Sequence, residues 1–371
     1  MPSSVCVSFM PSESARAHKQ VKLWRPKRVL ITPAARELAH GRGIAEKAAS
    51  LGAEIVELSS NRLSGLLSDD PRRAYRDAKS TLAVVISPSS KRKLQPIPPS
   101  ADWRFDLAEG CPAHCQYCYL AGSLSGPPVT RVYANIEEIL DGLSDYVGRG
   151  RVTSASQARA DEGTTYEASC YTDPLGIEHL TGSLAKTIHH FGAWAAPVQL
   201  RFTTKYDNLD PLLTLRHSTR TRIRFSVNSA PVARFEGGTA GMPARLDAMR
   251  RAALAGYPVG LTIAPIMPEG NWREAYRLLL RQAASALADL PNVDLMMELS
   301  THRFTPKAKT VLNGWYNAST LEMDEDTRAR KRTKFGSLKY VYPAELMKQM
   351  REFFERAISE HLPSARILYW T

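Results

Sequence analysis

Alternation of short apolar runs with helix-like segments constrains the fold of this chain more than any other feature. Five runs after residue 160 predict strands: 165–170, 198–203, 223–227, 259–264 and 293–299. Segments such as 176–191 and 243–255 are long enough to form crossover helices between them. Repeated β-α units imply a parallel sheet, and about six units predict a partial (β/α)6 barrel rather than a closed eight-stranded one.

The chain before this barrel has a different pattern. Three strand-like runs alternate with two helix-like segments and predict a small α/β domain: 28–32, 34–51, 53–58, 71–77 and 81–86. The Pro/Ser/Lys-rich stretch that follows reads as a linker. The predicted organisation is a basic flexible tail, a small domain with its linker, the barrel and a C-terminal extension: 1–27, 28–100, 101–300 and 301–371.

Four positions lie at or just after the carboxyl ends of predicted barrel strands. In parallel α/β sheets the reactive groups sit at the carboxyl ends of the strands, so these positions are candidates for a functional site. They are the segment 170–173, which contains Cys170, and Lys205, Ser226 and Ala264.

Three cysteines occur in one short segment, at Cys111, Cys115 and Cys118, and the whole chain has five cysteines. Thiolates are the usual protein ligands of iron–sulfur clusters. Three of them on one loop can hold three irons of a [4Fe-4S] cluster and leave the fourth iron open for chemistry. The spacing therefore predicts a cluster.

A disulfide framework and a structural zinc site are the other interpretations of these cysteines. A disulfide framework is typical of small secreted domains, and this chain has no secretory signal pattern. A structural zinc site needs four ligands, commonly supplied as two pairs, and no second pair is present. His114 is a possible fourth ligand, but its immediate neighbour Cys115 makes tetrahedral binding by both awkward.

Composition is ordinary for a globular protein, and no run of about 18 apolar residues predicts a membrane span. We therefore expect a cytoplasmic protein. The formal net charge of +12 favours a polyanionic partner such as nucleic acid, because neutralising phosphates releases counterions. The alternative is a basic surface without a partner.

The C-x3-C-x2-C spacing, with Tyr117 and Tyr119 around its last cysteine, resembles the radical S-adenosylmethionine (SAM) superfamily. A closer resemblance, to spore photoproduct lyases, runs in order from about residue 28 onward. It is carried by these segments: 76–82, 111–120, 131–135, 170–180, 201–206, 224–229 and 339–342.

The resemblance implies a carbon–carbon lyase that repairs 5-thyminyl-5,6-dihydrothymine, the spore photoproduct, in ultraviolet-damaged DNA. A 5′-deoxyadenosyl radical would take a hydrogen atom from the lesion, and Cys170 would supply the hydrogen atom that the product radical needs. Tyr119, and less directly Tyr117, would return the radical to 5′-deoxyadenosine. The alternatives are a Cys170 that is an inert buried thiol and a Tyr117 that only packs over the cluster.

The resemblance also implies a SAM site lined by Thr172, Asp173, Lys205, Ser226 and Ala264. A lysine there can bind the SAM carboxylate, and hydroxyl and backbone groups can bind its amine and ribose. The alternative for Lys205 is a solvated charge. An electron carrier such as flavodoxin or ferredoxin is the expected reductant.

The basic run 328–335 contains the expected DNA contacts Arg330, Arg332, Lys334 and Phe335. Well-studied lyases of this family tend to have Arg then Tyr where this chain has Lys334 and Phe335, and Lys lacks the bidentate guanidinium. This departure favours one alternative, a radical SAM enzyme that acts on another lesion or modified nucleotide. Two alternatives concern the cysteines instead: a zinc-containing nucleic-acid-binding protein without activity, and a cluster that only senses redox state.

Overall fold

A computed structural model describes residues 23–64, 66, 69–123, 126–332 and 336–371. Its strands, in chain order, are β1 Arg28–Ile31, β2 Glu54–Glu57, β3 Thr81–Val85, β4 Gln95–Ile97, β5 Ala101–Phe105, β6 Ala108–Glu109, β7 His114–Cys115, β8 Thr130–Tyr133, β9 Thr164–Ala168, β10 Val198–Thr204, β11 Thr221–Val227, β12 Glu236–Gly237, β13 Val259–Ile266, β14 Leu295–Thr301, β15 Ala329–Arg332, β16 Leu338–Val341 and β17 Arg366–Trp370.

The α-helices are α1 Pro33–Arg36, α2 Ala39–Ser50, α3 Pro71–Lys79, α4 Ser89–Arg92, α5 Leu120–Ser123, α6 Ile136–Asp141, α7 Glu178–Thr181, α8 Ser183–Ala193, α9 Asp210–Leu213, α10 Ala230–Ala233, α11 Met242–Leu254, α12 Trp272–Ala286, α13 Pro306–Trp315 and α14 Ala344–His361. Short 3₁₀ helices cover Ser144–Tyr146, Gln157–Glu162 and Leu175–Ile177. Within the described ranges no helix is both long and apolar enough to cross a membrane.

The large sheet is an open, curled half-barrel. Its strand order is β17-β14-β13-β11-β10-β9-β5-β4, and every neighbouring pair is parallel except β4 with β5. The five strands predicted from the apolar runs are β9, β10, β11, β13 and β14, in that spatial order. Because β17 and β4 occupy opposite edges, the sheet stays open, as the partial-barrel prediction requires.

The small sheet has the order β2-β1-β3-β8-β6, so it takes strands from both sides of residue 100. Conversely, β4 lies in the predicted linker and pairs with β5 in the large sheet. The chain therefore passes from the small sheet to the large one, back to β6 and β8, and again into the barrel. The predicted helix 34–51 is two helices, α1 and α2, and 176–191 is broken at Gly182, whose φ is +59°.

Charged side chains fill part of the half-barrel interior. Arg224 donates to Glu298 at 2.7 Å and also bonds to Glu167, while Arg201 donates to Glu162 at 3.0 Å. Each of these buried charges has an opposite partner, and removing one partner of such a pair typically costs about 3–5 kcal/mol. Part of the interior is thus occupied by paired charges, and Arg201, Arg224 and Glu298 each lie at the middle of a strand.

Candidate active site

The cysteine loop, residues 111–119, lies between the two sheets. From the small-domain side, the buried Lys79 of α3 donates to the carbonyl oxygen of Cys111 at 2.6 Å and to that of Ala113. From the barrel side, β7 in the loop pairs antiparallel with β12, so that Cys115 lies opposite Glu236. Both regions of the molecule therefore fix the backbone that carries the three cysteines.

His114 is turned toward the small domain. Its Nδ1 lies 2.8 Å from the hydroxyl of Tyr75, which in turn bonds to the hydroxyl of Tyr316. Among the described residues, no group of three or more His, Cys, Asp or Glu side chains is placed to hold a single metal ion. In a four-iron cluster, by contrast, each thiolate takes an iron of its own.

The donor set fits such a cluster. Cys111, Cys115 and Cys118 are all free thiols. Burial raises the pKa of Cys111 to about 11, against the opposing influence of the Lys79 ammonium. Burial likewise raises the pKa of Cys118 above its usual value, although the nearby Lys79 ammonium partly opposes this shift. Metal binding replaces the thiol protons, so three buried sulfurs beside a cation suit a group that binds thiolates.

Lys205, at the end of β10, is part of a hydrogen-bonded group. Its Nζ donates to Ser226 Oγ at 2.8 Å, to Glu236 Oε1 at 2.8 Å and to the hydroxyl of Tyr117 at 3.1 Å. The Tyr117 hydroxyl also donates to Glu236. The alternative of a solvated Lys205 charge is therefore wrong, since its side chain is only 17% exposed and ion-paired.

Glu236 and Arg245 were missed in the sequence. Arg245 lies 2.6 Å from Glu236 Oε2 and donates to the carbonyl oxygen of Ser226 at 2.8 Å. Burial raises the pKa of Glu236, but Lys205 and Arg245 together hold it below its usual value. Glu236 is therefore an anion between two cations. Its strand has two residues, too short for any periodic signal, and nothing in the sequence distinguishes this glutamate.

The Cys170 turn, residues 169–173, follows β9. The predicted strand 165–170 ends earlier, at Ala168, because Ser169 has a φ of +60°, in the left-handed region that is unfavourable for a residue with a Cβ. Ser169 N–H donates to the Phe105 carbonyl at 2.7 Å, and its Oγ accepts from Leu107 N–H at 3.0 Å. These bonds hold a strained residue directly before Cys170, a feature common at functional sites.

Tyr119 connects the two segments. It directly follows Cys118, and its hydroxyl donates to the carbonyl oxygen of Cys170. Its side chain is nevertheless 62% exposed, so the ring borders open space instead of the packed core. Burial and the nearby Glu167 carboxylate hold the pKa of the Cys170 thiol well above its usual range, which keeps the sulfur protonated.

The other predicted SAM-site residues have different surroundings. Thr172 Oγ1 is buried and has no hydrogen-bond partner within the described residues. Asp173 accepts from the Thr204 hydroxyl at 2.9 Å and from Lys205 N–H at 2.7 Å, so it joins the ends of β9 and β10. Ala264 lies near the end of β13, next to a cis peptide bond to Pro265. These positions are brought to one edge of the half-barrel, as the strand-end rule predicts.

Two of the predicted DNA contacts, Arg330 and Arg332, lie on β15, which forms a separate hairpin with β16. Arg330 and Arg332 are exposed on β15. The hairpin is tied to the barrel by Tyr340, which pairs with Phe304 through backbone hydrogen bonds and ring stacking at 5.3 Å. Lys334 and Phe335 lie outside the described residues.

Comparison with known proteins identifies the family. The sequence profile described as spore photoproduct lyase matches residues 24–371. The chain belongs to the spore photoproduct lyase family. It is 38% identical to the spore photoproduct lyase of Bacillus subtilis (strain 168) over 348 residues, or 93% of this chain and 98% of that protein. It is also 38% identical to the enzyme of Geobacillus sp. (strain Y412MC61) over 353 residues, or 95% and 100%.

Solved structures of the family have the same fold. A spore photoproduct lyase double mutant with bound AdoMet and dinucleoside spore photoproduct has a TM-score of 0.87 at 38% identity, over 94% of this chain and all of that one. A spore photoproduct lyase complexed with dinucleoside spore photoproduct has a TM-score of 0.85 at the same identity and coverage. The family and the half-barrel fold predicted from the sequence are confirmed.

Proposed function

We propose that this spore photoproduct lyase family member is a radical SAM enzyme that reverses 5-thyminyl-5,6-dihydrothymine in DNA. The contact that best supports the proposal is the bond from Tyr119 to the carbonyl oxygen of Cys170. It joins the residue after the last cysteine of the loop to the predicted hydrogen donor, so the groups for radical initiation and radical quenching would be neighbours.

Cys111, Cys115 and Cys118 would hold a [4Fe-4S] cluster, and the strand ends opposite them would hold SAM. When bound, these groups would supply a 5′-deoxyadenosyl radical able to take a hydrogen atom from the lesion. Lys205 would bind the SAM carboxylate, since its ammonium lies at the strand ends, against Ser226. A small electron carrier such as flavodoxin or ferredoxin would reduce the cluster.

Thr172 and Ser226 would bind polar groups of SAM. The unpartnered, buried Thr172 Oγ1 supports that role, because a buried hydroxyl without a partner is unfavourable until a ligand supplies one. Asp173 would act as a positioning residue, since its oxygens are already used by the end of β10. Ala264 would contribute backbone at the end of β13.

Cys170 would give the hydrogen atom that completes repair. When the methylene bridge breaks, one thymine carries a methylene radical. Transfer of the Cys170 S–H hydrogen makes the thymine methyl group and leaves a thiyl radical. The protonated state that burial and Glu167 favour is the state this transfer needs, because a thiolate has no hydrogen atom to give.

Tyr119 would then give its phenolic hydrogen atom to the Cys170 thiyl radical and take one from 5′-deoxyadenosine. The 5′-deoxyadenosyl radical so formed would rejoin methionine and return one electron to the cluster, which would regenerate SAM. Its hydroxyl lies against the Cys170 backbone, whereas the Tyr117 hydroxyl is directed to Glu236 and Lys205. Tyr119 is therefore the better placed relay, and Tyr117 is better placed to orient Lys205.

DNA would reach the Cys170 turn past the β15–β16 hairpin. Arg330 and Arg332 are exposed there and suit contacts with phosphates. A hairpin of this kind can also support extrusion of the lesion from a duplex, which an enzyme must achieve before it can reach atoms inside the base stack.

The test is anaerobic reconstitution with iron and sulfide, reduction, and addition of SAM with dinucleotide spore photoproduct. Release of the thymine dinucleotide, with SAM recovered, is the expected result. Cleavage of SAM with an untouched lesion would favour a radical SAM enzyme that acts on a different lesion. A zinc-loaded protein without SAM cleavage would leave only the binding-protein alternative.

A further inference from the structure

A basic pocket borders the Cys170 turn on the side away from the predicted SAM-binding strands. It is a cavity of about 330 Å³, and its lining includes Lys91, Lys93, Arg104, Asp106, Arg131 and Tyr171. Lys91 and Lys93 come from the segment that the sequence suggested to be a linker. The proposed mechanism gives this pocket no role.

The strand order fixes where the pocket lies relative to the thiol. Arg104 is on β5, where it pairs in register with Glu167 of β9, and Cys170 follows β9. Lys205, Ser226 and Ala264 are on or after β10, β11 and β13, on the other side of β9. Cys170 therefore lies between the basic pocket and the strands that would bind SAM.

Four cations line the pocket, Lys91, Lys93, Arg104 and Arg131, against the two carboxylates of Glu109 and Asp106. Lys91 lies 2.5 Å from Glu109, and Arg131 shares that carboxylate at 4.0 Å. Among the described residues, Lys93 has no carboxylate within ion-pair distance, and Arg131 Nε has no hydrogen-bond partner. Arg104 stacks 4.6 Å from the centre of the Tyr171 ring.

Asp106 is the one other carboxylate among the lining residues. Its Oδ1 is buried without a partner in the described chain, and burial raises its pKa to about 7 although Arg104 opposes this. Near neutral pH the side chain is thus partly protonated, and the pocket keeps an excess of cations. Arginine and lysine side chains in a cleft are the groups that bind phosphate oxygens.

We propose that the basic pocket binds a phosphodiester of the damaged strand next to the lesion, with Lys93 and Arg131 as its main ligands. The inference rests on the proposed function, because it requires the lesion to lie at Cys170. A DNA strand whose lesion lies at Cys170 continues on both sides of the lesion, and the basic pocket is the cationic surface next to the thiol. A dinucleoside contains no flanking phosphate, so it would leave this pocket unused.

The test compares equilibrium binding of two ligands, an oligonucleotide with one central spore photoproduct and the dinucleoside spore photoproduct. Lys93→Glu should weaken oligonucleotide binding roughly tenfold, the loss expected for one charge-assisted hydrogen bond, and leave dinucleoside binding unchanged. It should also reduce the slope of log K against log salt by about 1. Lys348→Glu, an exposed lysine on α14, is the charge-matched control and should have little effect.

A methylphosphonate scan identifies the phosphate concerned. An uncharged linkage is placed first on one side of the lesion and then on the other. At one of these two positions it should weaken oligonucleotide binding by the wild type, so that the wild type and Lys93→Glu bind with equal affinity. Equal loss for both ligands would overturn the proposal, because the pocket would then contact the lesion itself. The proposal would also be overturned if Lys93→Glu weakened oligonucleotide binding no more than Lys348→Glu does. It would be overturned as well if no methylphosphonate weakened binding while inorganic phosphate competed with the oligonucleotide. If the expected binding results are obtained but the wild type does not repair the lesion, the proposed activity is wrong and the proposed phosphodiester site still stands.

Discussion

The cysteine loop and the Cys170 turn are joined by the Tyr119 hydrogen bond but are held in different ways. The loop is fixed from two sides, by Lys79 of α3 and by the pairing of its β7 with β12. The Cys170 turn is held by Ser169, which bonds to Phe105 and Leu107, and by Asp173, which bonds to the end of β10. Its Thr172 hydroxyl, however, has no partner in the described chain. The difference favours a preformed scaffold for the proposed cluster, whereas the proposed hydrogen-donor side would complete its contacts with ligands.

The largest expected effect is at the loop. Cys118→Ala removes one of three candidate ligands, so it should abolish cluster binding and all SAM cleavage. Iron content and 5′-deoxyadenosine release after anaerobic reconstitution measure both. A variant that keeps the cluster absorption and full activity would contradict the assignment of the three thiols.

The matching change in the turn should separate initiation from quenching. Cys170→Ala should keep the cluster and SAM cleavage, because the thiol is not a cluster ligand, but the thymine radical should react with other quenchers. Product analysis would then give adducts in place of intact thymine pairs. If the variant still yields only intact thymine pairs, Cys170 is not the donor.

A smaller effect is expected from Lys79→Met. It leaves the carbonyls of Cys111 and Ala113 without their donor, at a cost of about 1–3 kcal/mol for each buried group. Urea unfolding should show lower stability, and less iron should be retained per chain. Lys47→Met, at an exposed position on α2, is the control. Unchanged stability and iron content would mean that the small domain does not support the loop.

The smallest effect is expected from pH. An ordinary cysteine loses its proton near pH 8.5, and a thiolate cannot donate a hydrogen atom. Because the pKa of Cys170 is raised, that loss should move to higher pH, and the fraction of intact thymine product should stay flat from about pH 7 to 9. A fall centred near the ordinary thiol pKa would show that the sulfur is not protected.

Sequence reasoning located the Cys170 turn and Lys205 because parallel strands bring their carboxyl ends to one edge. It could not locate Glu236, which lies on a two-residue strand with no periodic pattern. Nor could it give Lys79 a role, since α3 is strongly polar. The burial of the Lys79 side chain depends on the carbonyl groups of Cys111 and Ala113, which are 32 and 34 residues away in the sequence. Tyr117 and Tyr119 both flank Cys118 in the sequence, and only the tertiary structure shows that their hydroxyls bond to different partners.

The exchange of strands between the sheets has a consequence for dissecting this protein. Since β6 and β8 complete the small sheet but follow β5 of the large one, no single cut in the chain separates the two sheets. A fragment that begins at residue 101 would keep all three loop cysteines and Cys170, but it would lack Lys79 and expose the edge of β8 that pairs with β3. The catalytic half-barrel is therefore not an autonomous module.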